Sequence, residues 1–126
     1  MIQLILHGIG DYITQSDWMA QNKTKSTWAA FCHALVYSLP FLLIASIEAW
    51  LIIFITHLLI DRFRLARFVV YAKNFLGPKK YWYKWEDCKA NGYHKDIPVW
   101  LSTWLLIIAD NVMHLSINYC AILYFP

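Results

Sequence analysis

Long apolar runs separated by short polar segments dominate the pattern of this chain, and four such runs stand out. Each is close to or longer than the roughly 20 residues that an α-helix needs to cross about 30 Å of hydrocarbon. Polar residues interrupt the first run, and the third continues into a mixed basic and apolar segment. The pattern predicts helices and one long loop over these approximate ranges: helices 1–20, 27–46, 48–74 and 98–125, and loop 77–97.

Composition places the chain among helical membrane proteins. Apolar residues make up 60% and charged residues 15% of the 126 residues, and the mean hydropathy is +0.41. Soluble domains average about 45–50% apolar and 25% charged residues, so disorder, a coiled coil and an ordinary cytosolic domain are disfavoured. The expectation is an all-α polytopic membrane protein, in which a four-helix transmembrane bundle forms a single membrane domain over residues 1–126.

The basic residues are confined to one part of the chain. All eleven lysines and arginines lie between Lys23 and Lys95, and nine of them lie from Arg62 onward. With four crossings they all fall on one side, which the positive-inside rule identifies as the cytoplasm. The predicted location is a bacterial inner (cytoplasmic) membrane, crossed several times, with both termini outside and the basic loops cytoplasmic.

The same charge distribution bears on the expected partners. The net charge of +3 is placed unevenly along the chain, which indicates topology, and no nucleic-acid partner is expected. The expected partner is the lipid bilayer. Because four helices are few to enclose a cavity, a homodimer is a further alternative that the sequence leaves open.

Two segments after the third apolar run differ from the rest of the chain. Residues 62–76 mix Arg62, Arg64 and Arg67 with apolar side chains, as in an amphipathic helix that leaves the bilayer along its surface. A solvated basic flank and a headgroup-binding surface both explain this composition. Residues 79–98 combine lysines with tyrosines and tryptophans, which is typical of an interfacial loop. We therefore expect a cytoplasmic amphipathic extension followed by an aromatic and basic loop.

Seven ionisable residues lie within the apolar runs, where such residues are costly and usually serve a function. Three of the four predicted helices carry a histidine and an aspartate four residues apart, a spacing that stacks both side chains on one helix face. An imidazole nitrogen and a carboxylate oxygen from each helix can then converge on a metal ion. The candidate metal ligands are His7, Asp11, His33, His57, Asp61, Asp110 and His114.

This donor set favours one class of metal. Nitrogen and carboxylate ligands without thiolate suit Zn²⁺ best, with Mn²⁺ or Fe²⁺ as rivals. Seven donors exceed what one tetrahedral zinc ion takes, so one ion, or two ions with bridging aspartates, are both expected arrangements. For His33 and Gln15, a role as ligand and a role in packing through interhelical hydrogen bonds both remain open.

The sequence also resembles a known family. The segments HGIGDYITQSDWMAQNK, ITHLLIDRFRLARFVVYAKN and WLLIIADNVMH contain His-x3-Asp-x3-Gln, Thr-His-x2-Ile-Asp and Asp-Asn-x2-His motifs. In these motifs the chain resembles a family of small phage and bacterial membrane proteins of unknown function. It is more distantly similar to inner-membrane proteins described as metal-dependent hydrolases, while zinc phospholipase C and the single-strand-specific zinc nucleases share only the His-x3-Asp spacing. The resemblance implies a membrane location and metal-dependent hydrolysis.

These observations lead to one main hypothesis and two alternatives. The main hypothesis is a membrane-embedded metal-dependent hydrolase of a lipid or lipid-linked phosphoester, in which metal-activated water attacks and Arg62, Arg64 and Arg67 contact the phosphate. No serine-hydrolase elbow, P-loop or His-Glu-x-x-His motif indicates another enzyme class. The alternatives are a metal or proton transporter that relays cations through the His and Asp pairs, and a non-enzymatic phage membrane protein that acts on the host envelope.

Overall fold

Helices make up all of the regular structure. The computed structural model describes residues 1–126 and contains no strand. A π-helical segment (Ile9–Ile13) follows the first α-helix, and short 3-10 segments follow the third and the fifth α-helices. The all-α prediction is therefore confirmed. The α-helices are α1 (Ile2–Gly8), α2 (Asp17–Asn22), α3 (Thr27–Ser38), α4 (Ile47–Phe63), α5 (Ala66–Ala72), α6 (Trp85–Cys88) and α7 (Val99–Tyr124).

The predicted bundle of four membrane-spanning helices is wrong. Only α7, with 26 residues, is long and apolar enough to cross a membrane. The predicted helix 1–20 is divided into α1, the π-helical segment and α2, and the predicted helix 48–74 is divided into α4 and α5. The predicted helix 27–46 ends as an α-helix at Ser38. The multi-pass topology with both termini outside therefore lacks the spanning helices that it requires.

Local backbone chemistry explains where these helices begin and end. Ser16 and Ser26 have extended backbones, and each side-chain oxygen accepts a hydrogen bond from the backbone N–H three residues later, at 3.3 and 3.4 Å. Such N-caps begin new helices. Pro40 lies at the start of the 3-10 segment that follows α3, where its missing N–H prevents an α-helical hydrogen bond. Arg64 has a φ of 52°, which ends α4 because right-handed helices require a negative φ.

The chain forms two compact units. The first contains Met1–Phe63 and His114–Pro126, and the second contains Arg64–Met113. In the first unit α3 packs against α4, and the connection between these helices is closed by a hydrogen bond from Trp50 Nε1 to Ser38 O at 3.1 Å. Fully buried alanines on both helices allow a close approach of the backbones. These are Ala29, Ala30, Ala34 and Ala49.

Arginine side chains brace the second unit. Arg64 Nη2 donates a hydrogen bond to Ala90 O at 2.8 Å, and Arg67 Nη1 donates one to Lys89 O at 3.2 Å. Gly92 lies beside this contact with a φ of 88°, and a Cβ atom there would collide with Arg67 O. Glycine is therefore required at this turn. The predicted amphipathic extension corresponds to α5 and the 3-10 segment after it.

Candidate metal centre

Four buried side chains of the first unit converge on one point. The π-helical segment supplies Asp11, α3 supplies His33, and α4 supplies His57 and Asp61. Their exposed fractions are 7%, 0%, 1% and 6%, in that order. One nitrogen or oxygen atom of each residue lies within 4.8 Å of the corresponding atoms of the other three. Donor atoms from three separate elements therefore meet in the interior.

The spacing of the donor atoms matches a tetrahedral metal site. His33 Nε2 lies 2.9 Å from His57 Nε2, and 3.1 Å from both Asp11 Oδ1 and Asp61 Oδ2. His57 Nε2 lies 3.5 Å from Asp11 Oδ1 and 3.2 Å from Asp61 Oδ2. Zinc bonds of about 2.0–2.1 Å place neighbouring ligand atoms of a tetrahedron about 3.3–3.4 Å apart. The five distances lie on either side of this value, so one ion can contact all four atoms after small movements.

Local helix geometry positions these donors. His57 and Asp61 lie four residues apart on α4, so both side chains occupy one face. Asp11 lies in the π-helical segment, a form that is rare and often found at functional sites. The neighbouring Gly10 lies against Tyr37, and a Cβ atom at Gly10 would approach Tyr37 Cδ2 to 2.5 Å. The placement of Asp11 beside α3 therefore depends on a residue without a side chain.

Each aspartate has a further histidine next to its second oxygen atom. His7 Nε2 lies 3.6 Å from Asp11 Oδ2, and His114 Nε2 lies 3.5 Å from Asp61 Oδ1. Both histidines are buried. These contacts leave Asp11 Oδ1 and Asp61 Oδ2 facing His33 and the centre. The outer histidines therefore lie on the side of each carboxylate away from the centre, where the groups that orient metal ligands are commonly found.

Tyr37 connects several of these residues and has no exposed surface. Its ring is stacked on the His57 ring, with the centroids 3.6 Å apart and the planes at 16°. Its hydroxyl group forms a hydrogen bond with His7 Nδ1 at 2.8 Å and accepts one from Asn118 Nδ2 at 2.6 Å. One side chain thus positions a proposed ligand and the histidine behind another.

Lys23 brings a positive charge to the centre. Its Nζ lies 2.9 Å from Asp61 Oδ2 and 3.3 Å from His33 Nε2. Its side chain is 20% exposed, which makes it more accessible than the four donors. Lys23 is not among the site residues predicted from the sequence, because its charge was assigned to the topology of the first connection. The spacing of Lys23 from the histidines along the chain carries no signal, and only the folded structure reveals the contact.

The protonation states favoured by the surroundings suit metal binding. Burial lowers the pKa of His57 to about 4. Burial alone would raise the pKa of Asp61, but the neighbouring imidazole groups outweigh this effect and hold the pKa well below its usual range. The pKa of Asp11 is also lowered, because its hydrogen bond with His33 outweighs burial. Charged carboxylates and a neutral imidazole are the forms that bind metal ions.

His33 differs from His57 in its protonation. Burial alone would lower the pKa of His33, but its contacts with Asp11 and Asp61 outweigh burial and raise the pKa. Any proton on His33 Nε2 must leave before this nitrogen can act as a metal ligand. The centre therefore contains two adjacent histidines whose pKa values are shifted in opposite directions.

The structure brings six of the seven predicted ligands into the first unit. Four form the centre, while His7 and His114 stand behind the aspartates. Asp110 lies in the second unit, one helical turn before His114 on α7. The prediction that buried aspartates and histidines form a cluster able to hold a metal ion is confirmed.

The three arginines predicted to contact phosphate have other partners. Arg62 Nη1 donates a hydrogen bond to Thr24 O at 2.9 Å, and its Nε donates one to Thr27 Oγ1 at 3.1 Å. Arg64 and Arg67 lie in the second unit and bind the backbone carbonyl groups described above. A phosphate contact by these arginines stays a prediction.

Comparison with known proteins identifies a family but no activity. A family model for proteins of unknown function, DUF3307, matches residues 1–124. The chain belongs to this family. No curated protein and no solved structure matches it. The predicted membership of a family of unknown function is confirmed, whereas the likeness to inner-membrane hydrolases stays a prediction.

Proposed function

We propose that this DUF3307 protein binds a divalent metal ion at Asp11, His33, His57 and Asp61 and uses it to hydrolyse a phosphoester. The observation that carries the proposal is the near-tetrahedral spacing of four buried donor atoms, 2.9–3.5 Å apart along the five measured edges. Imidazole and carboxylate donors without thiolate favour Zn²⁺, with Mn²⁺ and Fe²⁺ as alternatives.

The electrostatics of the centre support a bound cation. Two carboxylates lie almost completely buried, and burial of a carboxylate is costly unless it is well paired. Three nitrogen atoms lie within 3.2 Å of Asp61 Oδ2 and favour its charged form, although no hydrogen bond of regular geometry reaches this oxygen. A metal ion between the donors would satisfy this oxygen, because coordination does not need a hydrogen atom along the contact.

Hydrolysis makes a further demand on the coordination. Structural zinc sites use four protein ligands, whereas catalytic sites use three and leave a position for water or substrate. Catalysis here therefore requires a fifth ligand, or the release of one aspartate, on the side of the more accessible Lys23. A divalent ion at this position would polarise a phosphoryl oxygen and lower the pKa of a bound water. His7 and His114 would meanwhile hold the outer carboxylate oxygens in place.

The apolar surface supports a lipid or lipid-linked substrate. Helix α7 is long and apolar enough to cross a membrane. Helix α4 carries the centre on one face and exposed apolar side chains at every fourth position on another. Soluble monomers rarely expose continuous apolar surface of this kind, so we infer that the substrate reaches the centre from a bilayer. These exposed apolar residues of α4 are Ile47, Leu51, Ile55, Leu59 and Phe63.

Metal content of the detergent-purified full chain tests the first part of the proposal. Mass spectrometry should find about one bound ion, as a four-donor site requires. The double variant His57→Ala, Asp61→Asn should lose it. The matched control is His94→Ala, Asp96→Ala, which removes a His–Asp pair 3.3 Å apart in the second unit and should retain the metal. A metal-free wild type, or equal metal content in both variants, would overturn the proposed centre.

Hydrolysis is tested separately on phosphatidate and on isoprenoid phosphates. Metal-loaded protein should release product, and both chelation and the His57→Ala, Asp61→Asn change should abolish the release. Folded, metal-loaded protein that acts on neither substrate class would contradict the hydrolase assignment. Metal binding would remain supported in that case.

A row of proton-carrying groups favours a second candidate function, the transfer of protons or cations. Tyr37 is hydrogen-bonded to His7, His7 lies 3.6 Å from Asp11, and Asp11 lies 3.1 Å from His33. Rows of this kind relay protons in pumps and transporters. Proton or metal flux into liposomes that disappears in Asp61→Asn would support transport, whereas the absence of flux would leave hydrolysis as the better assignment.

A further inference from the structure

Lys23 is distinguished from the three arginines by its direct contact with the metal centre. Its ammonium group lies 2.9 Å from Asp61 Oδ2 and 3.3 Å from His33 Nε2. Arg62 is instead held by two hydrogen bonds to the segment that follows Lys23. Arg64 and Arg67 donate to backbone carbonyl groups of the second unit. Lys23 therefore provides a positive charge that can contact a ligand bound at the centre.

A bound divalent ion leaves the charge of Lys23 uncompensated. Histidines bind metal ions in their neutral form, so the carboxylates of Asp11 and Asp61 balance the two charges of the ion. The Lys23 ammonium group shares Asp61 Oδ2 with the ion and adds one positive charge. Two cations on one carboxylate oxygen repel each other. An anion between them would compensate the additional charge and remove the repulsion.

We propose that Lys23 and the metal ion together bind the phosphate group of an anionic ligand. The inference rests on the proposed function, because it requires an ion at the centre. A lysine ammonium group is a compact charge on a flexible stem, and it is a common phosphate ligand. The Lys23 side chain is 20% exposed, so its ammonium group can turn from Asp61 to a phosphate oxygen that approaches from outside. The ligand is a phosphate ester, and its phosphate is either free in solution or part of a lipid headgroup.

Phosphate binding to the zinc-loaded full chain tests the role of Lys23. Excess zinc is removed, and inorganic phosphate is titrated calorimetrically into wild type, Lys23→Met and the control Lys25→Met. Lys25 is an exposed lysine two residues along the same connection, so this control removes the same charge outside the centre. We expect phosphate affinity to fall about tenfold or more in Lys23→Met, as the loss of a charge-assisted contact implies. Lys25→Met should match wild type, and zinc content should be equal in all three proteins.

Two further ligands distinguish the source of the phosphate group. Glycerol phosphate provides a soluble monoester, and phosphatidic acid in phosphatidylcholine vesicles provides the same chemistry as a headgroup. A Lys23-dependent difference with both ligands would indicate recognition of the phosphate alone. A difference with the vesicles that is much larger than with glycerol phosphate would indicate a lipid ligand. Either result supports Lys23 as the phosphate contact.

The outcomes separate this inference from the proposal on which it rests. Equal phosphate affinity in zinc-loaded wild type and Lys23→Met would overturn the inference and leave the metal centre intact. Loss of zinc in Lys23→Met would also overturn it, because Lys23 would then belong to the framework of the centre. A wild type without zinc would overturn both proposals. If Lys23→Met does not fold, Lys23→Gln replaces it in the same comparison.

Discussion

Tyr37 couples two sides of the candidate centre through two different parts of its side chain. The ring supports His57 by stacking, and the hydroxyl group holds His7, which stands behind Asp11. Asn118 donates a hydrogen bond to the same hydroxyl group. Since the ring and the hydroxyl act on different ligands, removing only the hydroxyl should affect one side of the centre.

Tyr37→Phe should weaken metal binding without creating a cavity in the protein core. The phenyl ring keeps the stacking on His57, while His7 and Asn118 lose a buried hydrogen bond, at a cost of about 1–3 kcal/mol. Groups that hold metal ligands typically contribute 10–100-fold to affinity, so we expect a decrease of about tenfold. In the cobalt-loaded protein, the visible absorption that reports tetrahedral coordination should also change. Tyr119→Phe, at an exposed tyrosine of α7, serves as the control, and an unchanged cobalt spectrum in Tyr37→Phe would contradict the role of the hydroxyl group.

At the scale of single residues, the sequence predicted donors within a helix better than partners between helices. The four-residue spacing of His57 and Asp61 predicts a shared face because helix geometry is regular. No such regularity relates Lys23 to Asp61, or Tyr37 to Asn118, since these contacts depend on how separate elements pack. The cluster could therefore be predicted, but its lysine and its tyrosine could not.

At the scale of elements, the passage from α1 through the π-helical segment depends on Gly10. A Cβ atom at Gly10 would lie 2.5 Å from Tyr37 Cδ2 and 3.2 Å from Tyr37 Cα, so either the side chain or the backbone of α3 must move. At Gly8, two residues earlier, a Cβ atom would meet nothing within 4 Å. These two glycines therefore form a natural comparison.

Gly10→Ala should lower the free energy of unfolding by about 1–3 kcal/mol, the usual cost of overpacking. It should also lower metal affinity, because Asp11 moves with the segment. Gly8→Ala should leave stability unchanged or raise it slightly, since alanine is the better helix former by about 1 kcal/mol. Thermal unfolding in detergent and metal content measure both effects. Equal behaviour of the two variants would show that the contact between Gly10 and Tyr37 does not constrain the fold.

The apolar runs predicted helical regions correctly but not their lengths. Hydropathy averages over many residues, whereas helix ends are set by single ones. Ser16 and Ser26 begin new helices by capping them, and Arg64 ends α4 with a positive φ. Both capping serines are visible in the sequence. The predicted helix 27–46 begins where Ser26 caps α3, but the apolar residues around Ser16 favoured one continuous helix. The conformation of Arg64 gives no signal in the sequence, because residues of its type rarely have a positive φ.

At the scale of the whole molecule, helix α7 combines apolar length with an exposed apolar face. Its length and mean hydropathy would allow it to cross a membrane, and only 17% of an apolar stretch of 18 residues within it is buried. A buried core helix of a soluble protein would show the opposite. Exposed side chains recur along it at every fourth position, as one helix face requires. They are Trp100, Trp104, Ile108 and Val112.

If α7 lies in hydrocarbon, a charge at its middle should be far more disruptive than a charge at its end. Val112 lies near the centre of the helix and Val99 at its first position, and both side chains are exposed. Arginine at the centre of a membrane helix costs about 2.5–3.5 kcal/mol, on the order of a hundredfold in the partition equilibrium. At the end of the helix, the long side chain can reach the interface at little cost. Val112→Arg should therefore reduce the fraction of protein that resists alkaline extraction from membranes, while Val99→Arg should not.

Both variants keep the hydrophobic remainder of the chain, so a general loss of apolar surface cannot produce the difference. Equal extraction of the two variants would mean that the exposed face of α7 contacts something other than the hydrocarbon core.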